Sequence, residues 1–251
     1  MTEETVAFWS GHANSSAMVL RMCEINQHPD VVVHACTGLE FNFVYDFMEK
    51  FQRICPVEII LEDVTKEKQN LKFDAFFNQP WCRGKHTGEI HGMPKAMNPC
   101  WHNRNVKQPV FNKWEERTRE SYTGFHVGER HRCMTNHHKK RYPLIEWGWT
   151  AKDSIEYLRK RGIPHLGYDK YGFERLGCYL CPKQDPLALY IIYKNFPEMF
   201  MEMMEMEKKS PHGFRKGKSL EEMVDIWESQ VNYTIDKFSA GEHPSTKGGA
   251  R

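Results

Sequence analysis

Thr5-Val-Ala-Phe-Trp9 is a short apolar run without helical period, the pattern of a strand covered on both faces. A loop of small polar residues follows, Ser10-Gly-His-Ala-Asn-Ser15. Met18, Val19, Met22 and Ile25 then recur at helical spacing, with Ser15 or Ser16 as the expected N-cap. Val31-Val-Val-His34 predicts a second buried strand, Thr37-Gly-Leu-Glu40 a loop, Phe43 to Ile54 a second helix, and Val57 to Leu61 a third strand. Strands alternating with helices predict βαβ units and an α/β fold, a doubly wound parallel sheet.

The stretch from about 66 to 112 breaks this rhythm. Pro80, Gly84, Gly88, Gly92, Pro94, Pro99 and Pro109 punctuate it, and few periods survive. It reads as a long irregular insertion bearing Cys82 and Cys100, ordered by Trp81 and Trp101. Regularity returns at Tyr122 to Val127, a predicted strand ending at Gly128. Thr150-Ala-Lys-Asp153 is a capping box opening a helix from Ser154 to Arg161. Asp185-Pro186 starts a helix, or a broken pair, running toward Lys209. Ser219-Leu-Glu-Glu222 is a second capping box, for a helix ending near Gln230. The methionine-dense segment from Met199 to Met206 reads as irregular core packing. The expected organisation is an α/β domain over 1–185, a helical extension over 186–240 and a disordered tail over 241–251.

An apolar fraction of 40% over 251 residues is enough for a core, and no apolar run approaches a bilayer span. The acidic N-terminal residues do not suit a signal peptide, so a cytoplasmic protein is expected. A net charge of +2 does not argue for nucleic acid, but its distribution says more. Arg130, His131, Arg132, His137, His138, Lys139, Lys140 and Arg141 form one basic run, and Arg215 to Lys218 a second. Either is explained by a solvated face, yet the first follows a predicted strand end, where α/β folds place phosphate-binding groups.

Cys178 and Cys181 lie in Leu-Gly-Cys-Tyr-Leu-Cys-Pro, a turn that presents two thiolates to one soft metal. Cys100 lies far upstream and must come from another part of the fold. Cys23 and Cys55 fall in helical patterns and read as packing. The small-residue loop at Ser10, Gly11, Asn14 and Ser15, between a strand and a helix N-terminus, is suited to phosphate.

Five pieces in order carry a resemblance. They are Phe8-Trp-Ser-Gly-His-Ala-Asn-Ser15, His34-Ala-Cys-Thr-Gly-Leu-Glu-Phe41, Met97-Asn-Pro-Cys-Trp101 with Lys107 and Pro109, Gly128-Glu-Arg130 with Arg132, and Tyr142 to Trp147 followed by Gly177-Cys-x-x-Cys-Pro182. Together they resemble the PAPS reductase family of the adenine nucleotide α-hydrolase (PP-loop) superfamily. The resemblance implies a nucleotide at the carboxyl ends of the strands, ATP or another adenine nucleotide, with a Mg2+ ion as a further candidate. Ser10, Gly11, Asn14 and Ser15 would face the phosphates, and Thr37, Gly38 and Glu40 would lie beside the nucleotide. Lys107, Arg130 and Arg132 would neutralise the reacting phosphate or sulfate. Departures are His12 and Asn14, where the family has glycine and aspartate, and Cys36, where it has aspartate.

The resemblance also implies a [4Fe–4S] cluster on Cys100, Cys178 and Cys181, with Cys133, Cys82 or an open position as the fourth ligand. Zn2+ completed by His102, His137 or His138 is the rival. Three functions follow. The first is adenylation of a substrate followed by sulfur transfer, as in nucleic-acid thiolation. The second is reduction of an adenylyl sulfate, against which stands the lack of any cysteine after Cys181. The third is a nucleotide-binding module with a structural metal. Expected partners are the nucleotide, a nucleic-acid substrate, a sulfur-donor protein and further copies of the chain in a homo-oligomer; a membrane is not expected.

Overall fold

A computed structural model of the chain describes residues 4–64, 73–95, 100–133, 139–215 and 217–229. Five strands, β1 (Glu4–Phe8), β2 (Val31–Cys36), β3 (Ile59–Asp63), β4 (Thr118–Thr123) and β5 (Lys140–Arg141), form one sheet in the order β3-β2-β1-β4-β5. Every pairing is parallel. The chain winds outward from β1 through β2 to β3 and returns on the other side as β4. The switch point between β1 and β4 is where such sheets bind ligands.

Helices α1 (Ala13–Glu24) and α2 (Asn42–Ile54) make the first two crossovers. The third crossover holds α3 (Phe73–Asn78) and α4 (Gln108–Glu115). Then come α5 (Pro143–Glu146), α6 (Ala151–Lys160), α7 (Leu166–Asp169), α8 (Pro186–Asn195), α9 (Pro197–Lys209) and α10 (Leu220–Ser229). Side chains alternate along the strands. Ala7, Trp9 and Val32 enter the larger core with α1, α2 and the C-terminal helices, while Val6, Phe8, Val31 and Val33 enter a second core against Val106, Val110 and Trp114. Both sheet faces are therefore covered, which accounts for the continuous apolar strands.

Both capping boxes form: Thr150 with Asp153, and Ser219 with Glu222. The helix after Asp185 is a broken pair, interrupted where Pro197 opens α9. Met203 of the methionine-dense segment is fully buried, whereas Met201 is exposed. No described helix is long and apolar enough to cross a membrane. The expected disordered tail lies outside the described residues.

Three expectations are corrected. The fourth strand is Thr118–Thr123, not 122–127. It carries buried Thr118 and Ser121 in place of apolar side chains, so it has no hydrophobic signature. The N-cap of α1 is His12, and Ser15 and Ser16 sit inside the first turns, both hydroxyls donating to the His12 carbonyl. The end of the predicted irregular insertion is helical from 101 onward. Pro109 had argued against a helix there, because proline clashes with the preceding turn. Asn103–Lys107 forms a π-helical segment just before it, and this wider turn accommodates the ring.

Candidate functional site

The loop after β1 is set by Gly11 and Gly124. Gly11 has φ +75°, and a Cβ there would meet Met48 Sδ at 2.8 Å. Gly124, just past β4, lies so close to the start of α1 that a Cβ would meet Ser15 Cα at 2.8 Å and Ser15 N at 2.9 Å. The two loops at the switch point thus touch backbone to backbone. Ser15 Oγ accepts from Ser10 N at 3.1 Å and lies 2.9 Å from Ser10 Oγ, which folds the loop on itself. His165 holds it from behind. Its Nδ1 accepts from Gly167 N at 3.2 Å, so the proton is on Nε2, which donates to the Gly11 carbonyl at 3.2 Å. Burial, then the neighbouring His12, pushes its pKa down to about 3, so the ring stays neutral.

Glu40 follows β2 and is buried, its side chain 1% exposed. Lys107, at the end of the π-helical segment, donates to Glu40 Oε1 at 3.0 Å. Glu40 Oε2 lies 3.4 Å from His12 Nε2. Burial alone would raise the Glu40 carboxyl, but the Lys107 ammonium and the His12 contact outweigh it and hold the group below the usual carboxylate range. Burial likewise opposes the Lys107 ammonium, and the Glu40 carboxylate holds it above the usual range. His34 lies beneath: its Nδ1 donates to the Trp9 carbonyl at 2.9 Å, and burial pushes its pKa down to about 4.

The Cys178–Cys181 turn joins the same place. Tyr179 N donates to the Leu39 carbonyl at 3.0 Å, tying the turn to the loop that carries Glu40. Cys181 N donates to the Cys178 carbonyl at 2.9 Å, and Gln184 Nε2 caps the Cys178 and Tyr179 carbonyls at 3.2 and 3.1 Å. Both sulfurs lie within the electrostatic reach of Lys107. The hydrogen bond between the two sulfurs divides them: Cys178 is raised well above its usual value and Cys181 is lowered to about 6. A lowered thiol beside a raised one is the arrangement that makes Cys-x-x-Cys turns nucleophilic.

Other predicted residues lie apart from this cluster. Arg130 and Arg132 stand on a 3₁₀ turn, Val127–Arg132, at the carboxyl edge of the sheet. Arg132 pairs with Glu129 and lies 4.1 Å over the Phe125 ring. Cys133 ends that turn, its thiol raised by burial. Cys100 starts the helix leading to Lys107, its sulfur accepting from Asn103 N at 3.5 Å. Cys82 is exposed on a hairpin. The basic run divides: Lys140 pairs with Glu115, and Arg141 with Glu146 and Glu120, at the sheet edge. His137 and His138 lie outside the described residues.

Residues 4–184 match the phosphoadenosine phosphosulfate reductase domain family. The chain belongs to that family. Two uncharacterized proteins of Methanocaldococcus jannaschii are similar to it: one is 24% identical over 80% of this chain and 47% of its own length, the other 24% over 78% and 39%. The chain thus spans less than half the length of these curated relatives. Among solved structures, a phosphoadenylyl-sulfate (PAPS) reductase from Candida auris in its phosphate complex aligns with TM-score 0.47 and 14% identity, covering 72% of this chain and 84% of that one. The U34-tRNA thiolase NcsA from Methanococcus maripaludis with its [4Fe-4S] cluster aligns with TM-score 0.43 and 15% identity, covering 93% and 74%.

Nucleotide and metal fit this PAPS reductase-family chain differently. Asn14 Oδ1, His34 Nε2 and Thr37 Oγ1 are buried without a hydrogen-bond partner, and His12 Nε2 and Glu40 Oε2 are buried with only their 3.4 Å contact to each other. They lie at the carboxyl ends of β1 and β2: His12 and Asn14 at the start of α1, His34 in β2, and Thr37 and Glu40 in the loop after it, with the positive-φ glycines Gly11 and Gly38 in the same two loops. Buried polar atoms are seldom left so, and their convergence suits a polar ligand such as a phosphate group. A cluster fits less well. Cys178 and Cys181 make two ligands, but among the described residues no three or more His, Cys, Asp or Glu side chains are gathered to hold a metal. Cys100, Cys133 and Cys82 are therefore not assembled with the pair in this conformation.

The sequence reading did not find His165, His34, Gly124 or the His12–Glu40 contact. Gly124 fell inside the strand expected at 122–127, where nothing marked it as a close approach, and the histidines act through long-range contacts that no periodicity marks.

Proposed function

We propose that this family member binds an adenine nucleotide across the Ser10–Ser15 and Thr37–Glu40 loops and delivers sulfur, at the Cys178–Cys181 turn, to a substrate activated by adenylation. A nucleic acid is the proposed substrate class. The observation that carries the reading is the position of Glu40. Its loop lines the orphaned polar cradle, its carboxylate anchors Lys107, and the adjacent Leu39 carbonyl receives the cysteine turn.

In this reading Ser10, Gly11, Asn14 and Ser15 hold phosphate oxygens, with Thr37 and Gly38 beside them. Lys107, fixed as a cation by Glu40, stabilises negative charge as the adenylate leaves. Adenylation turns a poor oxygen leaving group into a good one: the outer sulfur of a persulfide on one cysteine of the pair, loaded by a sulfur-donor protein, displaces AMP, and the second cysteine then breaks the S–S bond, releasing the thiolated substrate and leaving a Cys178–Cys181 disulfide for an external thiol to reduce. Arg130 supplies further positive charge at the same edge.

Oxygen-free purification with iron, acid-labile sulfide and zinc measured beside a Cys178→Ser variant tests the sulfur half. About four irons and four sulfides per chain, lost in the variant, would mean that a [4Fe–4S] cluster gathers further ligands such as Cys100 around the pair. A metal-free dithiol would make a donor-loaded persulfide on the pair the sulfur carrier. About one zinc per chain without sulfide would overturn it. Calorimetric titration with ATP and AMP tests the nucleotide half.

A further inference from the structure

The insertion after β3 leaves the sheet at its carboxyl edge, the edge that carries Ser10, Glu40 and the turn of Arg130. Residues 79–92 within it fold back as a hairpin-like arm, with an isolated antiparallel bridge pairing Pro80 with Ile90 and an isolated parallel bridge pairing Trp81 with Thr87. Its foot is fixed: Gly92 N donates to the Phe77 carbonyl at 2.9 Å, Met93 is fully buried, and a Cβ on Gly92 would meet Ser210 Oγ at 2.4 Å. Its turn is fixed too, with Trp81 N donating to the Glu89 carbonyl at 2.8 Å and Gly88 N to the Trp81 carbonyl at 2.9 Å. Gly84 and Gly88 supply the positive φ that the turn needs.

This rigid arm holds out a tryptophan. Trp81 is 39% exposed, although tryptophan is among the residues that gain most from burial. His91 covers one face of the indole, with ring centroids 4.1 Å apart and planes 27° apart. His91 is itself fixed, its Nδ1 donating to the Gln79 carbonyl at 2.6 Å. Arg83 and Lys85 stand exposed on the turn beside it. An aromatic face held rigid and flanked by cations is the combination that stacks unpaired bases and tracks their phosphates.

We propose that the 79–92 hairpin is a stacking arm for an unpaired base of a nucleic-acid strand, with the base on the open face of Trp81 and the neighbouring phosphates on Arg83 and Lys85. This rests on the reading that the substrate is a nucleic acid, and it adds the element that would grip it. The grip needs neither nucleotide nor sulfur, so it is measurable as binding alone.

The test is fluorescence anisotropy of the full chain with a labelled mixed-sequence oligonucleotide, as single-stranded RNA, single-stranded DNA and duplex. The variants are Trp81→Ala, Trp81→Phe and Arg83→Ala/Lys85→Ala, each with its melting curve. Trp81→Ala is expected to weaken single-strand binding by about 5- to 100-fold, the loss of one stacked base, while Trp81→Phe keeps most of the affinity. Arg83→Ala/Lys85→Ala is expected to lower the slope of log affinity against log salt by about 1.4, two phosphate contacts on a single strand. Equal binding by wild type and Trp81→Ala overturns the arm and leaves the nucleic-acid reading standing. Failure of the wild type to bind any strand overturns the nucleic-acid reading, and the arm with it. Preference for duplex, unaffected by Trp81→Ala, also overturns the arm.

Discussion

Lys107 Nζ sits 3.0 Å from Glu40 Oε1, joining residues 67 positions apart in sequence. The contact fastens the crossover helix to the loop after β2. Glu40→Gln leaves Lys107 without its counter-ion, and Lys107→Met leaves the buried carboxylate with only His12 beside it. Each is expected to cost about 3 kcal/mol, whereas the double variant costs less than the sum, because breaking one side of a buried pair is worse than removing both. Urea unfolding of the four proteins in this cycle checks it.

Gly124→Ala is expected to be more damaging than its size suggests. Its Cβ would meet Ser15 backbone, at 2.8 and 2.9 Å, rather than a side chain that can turn away. The loops at the switch point must separate, costing about 1–3 kcal/mol. ATP affinity should fall with it, while Gly84→Ala, which strains a turn at φ +91° on the arm away from these loops, leaves ATP affinity unchanged. Calorimetric titration of both variants makes the comparison.

Acid should destabilise the fold through buried neutral histidines. Burial holds His34 and His102 to about 4 and His165 to about 3, against 6.5 for the free side chain. As pH falls, the unfolded chain binds protons that the folded chain refuses. Stability is therefore full above about 6.5 and declines toward 4, by about 1 kcal/mol per histidine one unit below 6.5. Glu40, depressed in the fold, acts in the same direction at lower pH. Unfolding midpoints at pH 7.5 and 5.5 should show the loss, and His165→Gln should lessen it.

The parts that could be read before the structure are those in which side chains repeat. β1, β2, α1 and α2 announce themselves by burial on fixed faces, and the two capping boxes by residue type. β4 hid because it buries Thr118 and Ser121 and satisfies its place by pairing with β1. The helix at Lys107 hid because Pro109 is a breaker unless a π turn precedes it. Ser10, Ser15, Thr37 and Glu40 were legible as loop chemistry, and Cys178 with Cys181 as a turn. That Tyr179 would dock on Leu39 and bring these together is a long-range contact with no local signature.

The central claim is that the nucleotide cradle and the Cys178–Cys181 pair are one site. Its most direct test is iodoacetamide labelling of metal-stripped protein at neutral pH, followed by mass spectrometry with and without saturating ATP. Exposed Cys82 serves as the internal control, and Cys181, whose thiol the Cys178 hydrogen bond lowers, is the expected principal label of the pair. The account predicts that ATP slows labelling of Cys178 and Cys181 several-fold and leaves Cys82 unchanged. ATP bound by calorimetry with no change in labelling of the pair would contradict it: nucleotide and sulfur would then occupy separate sites.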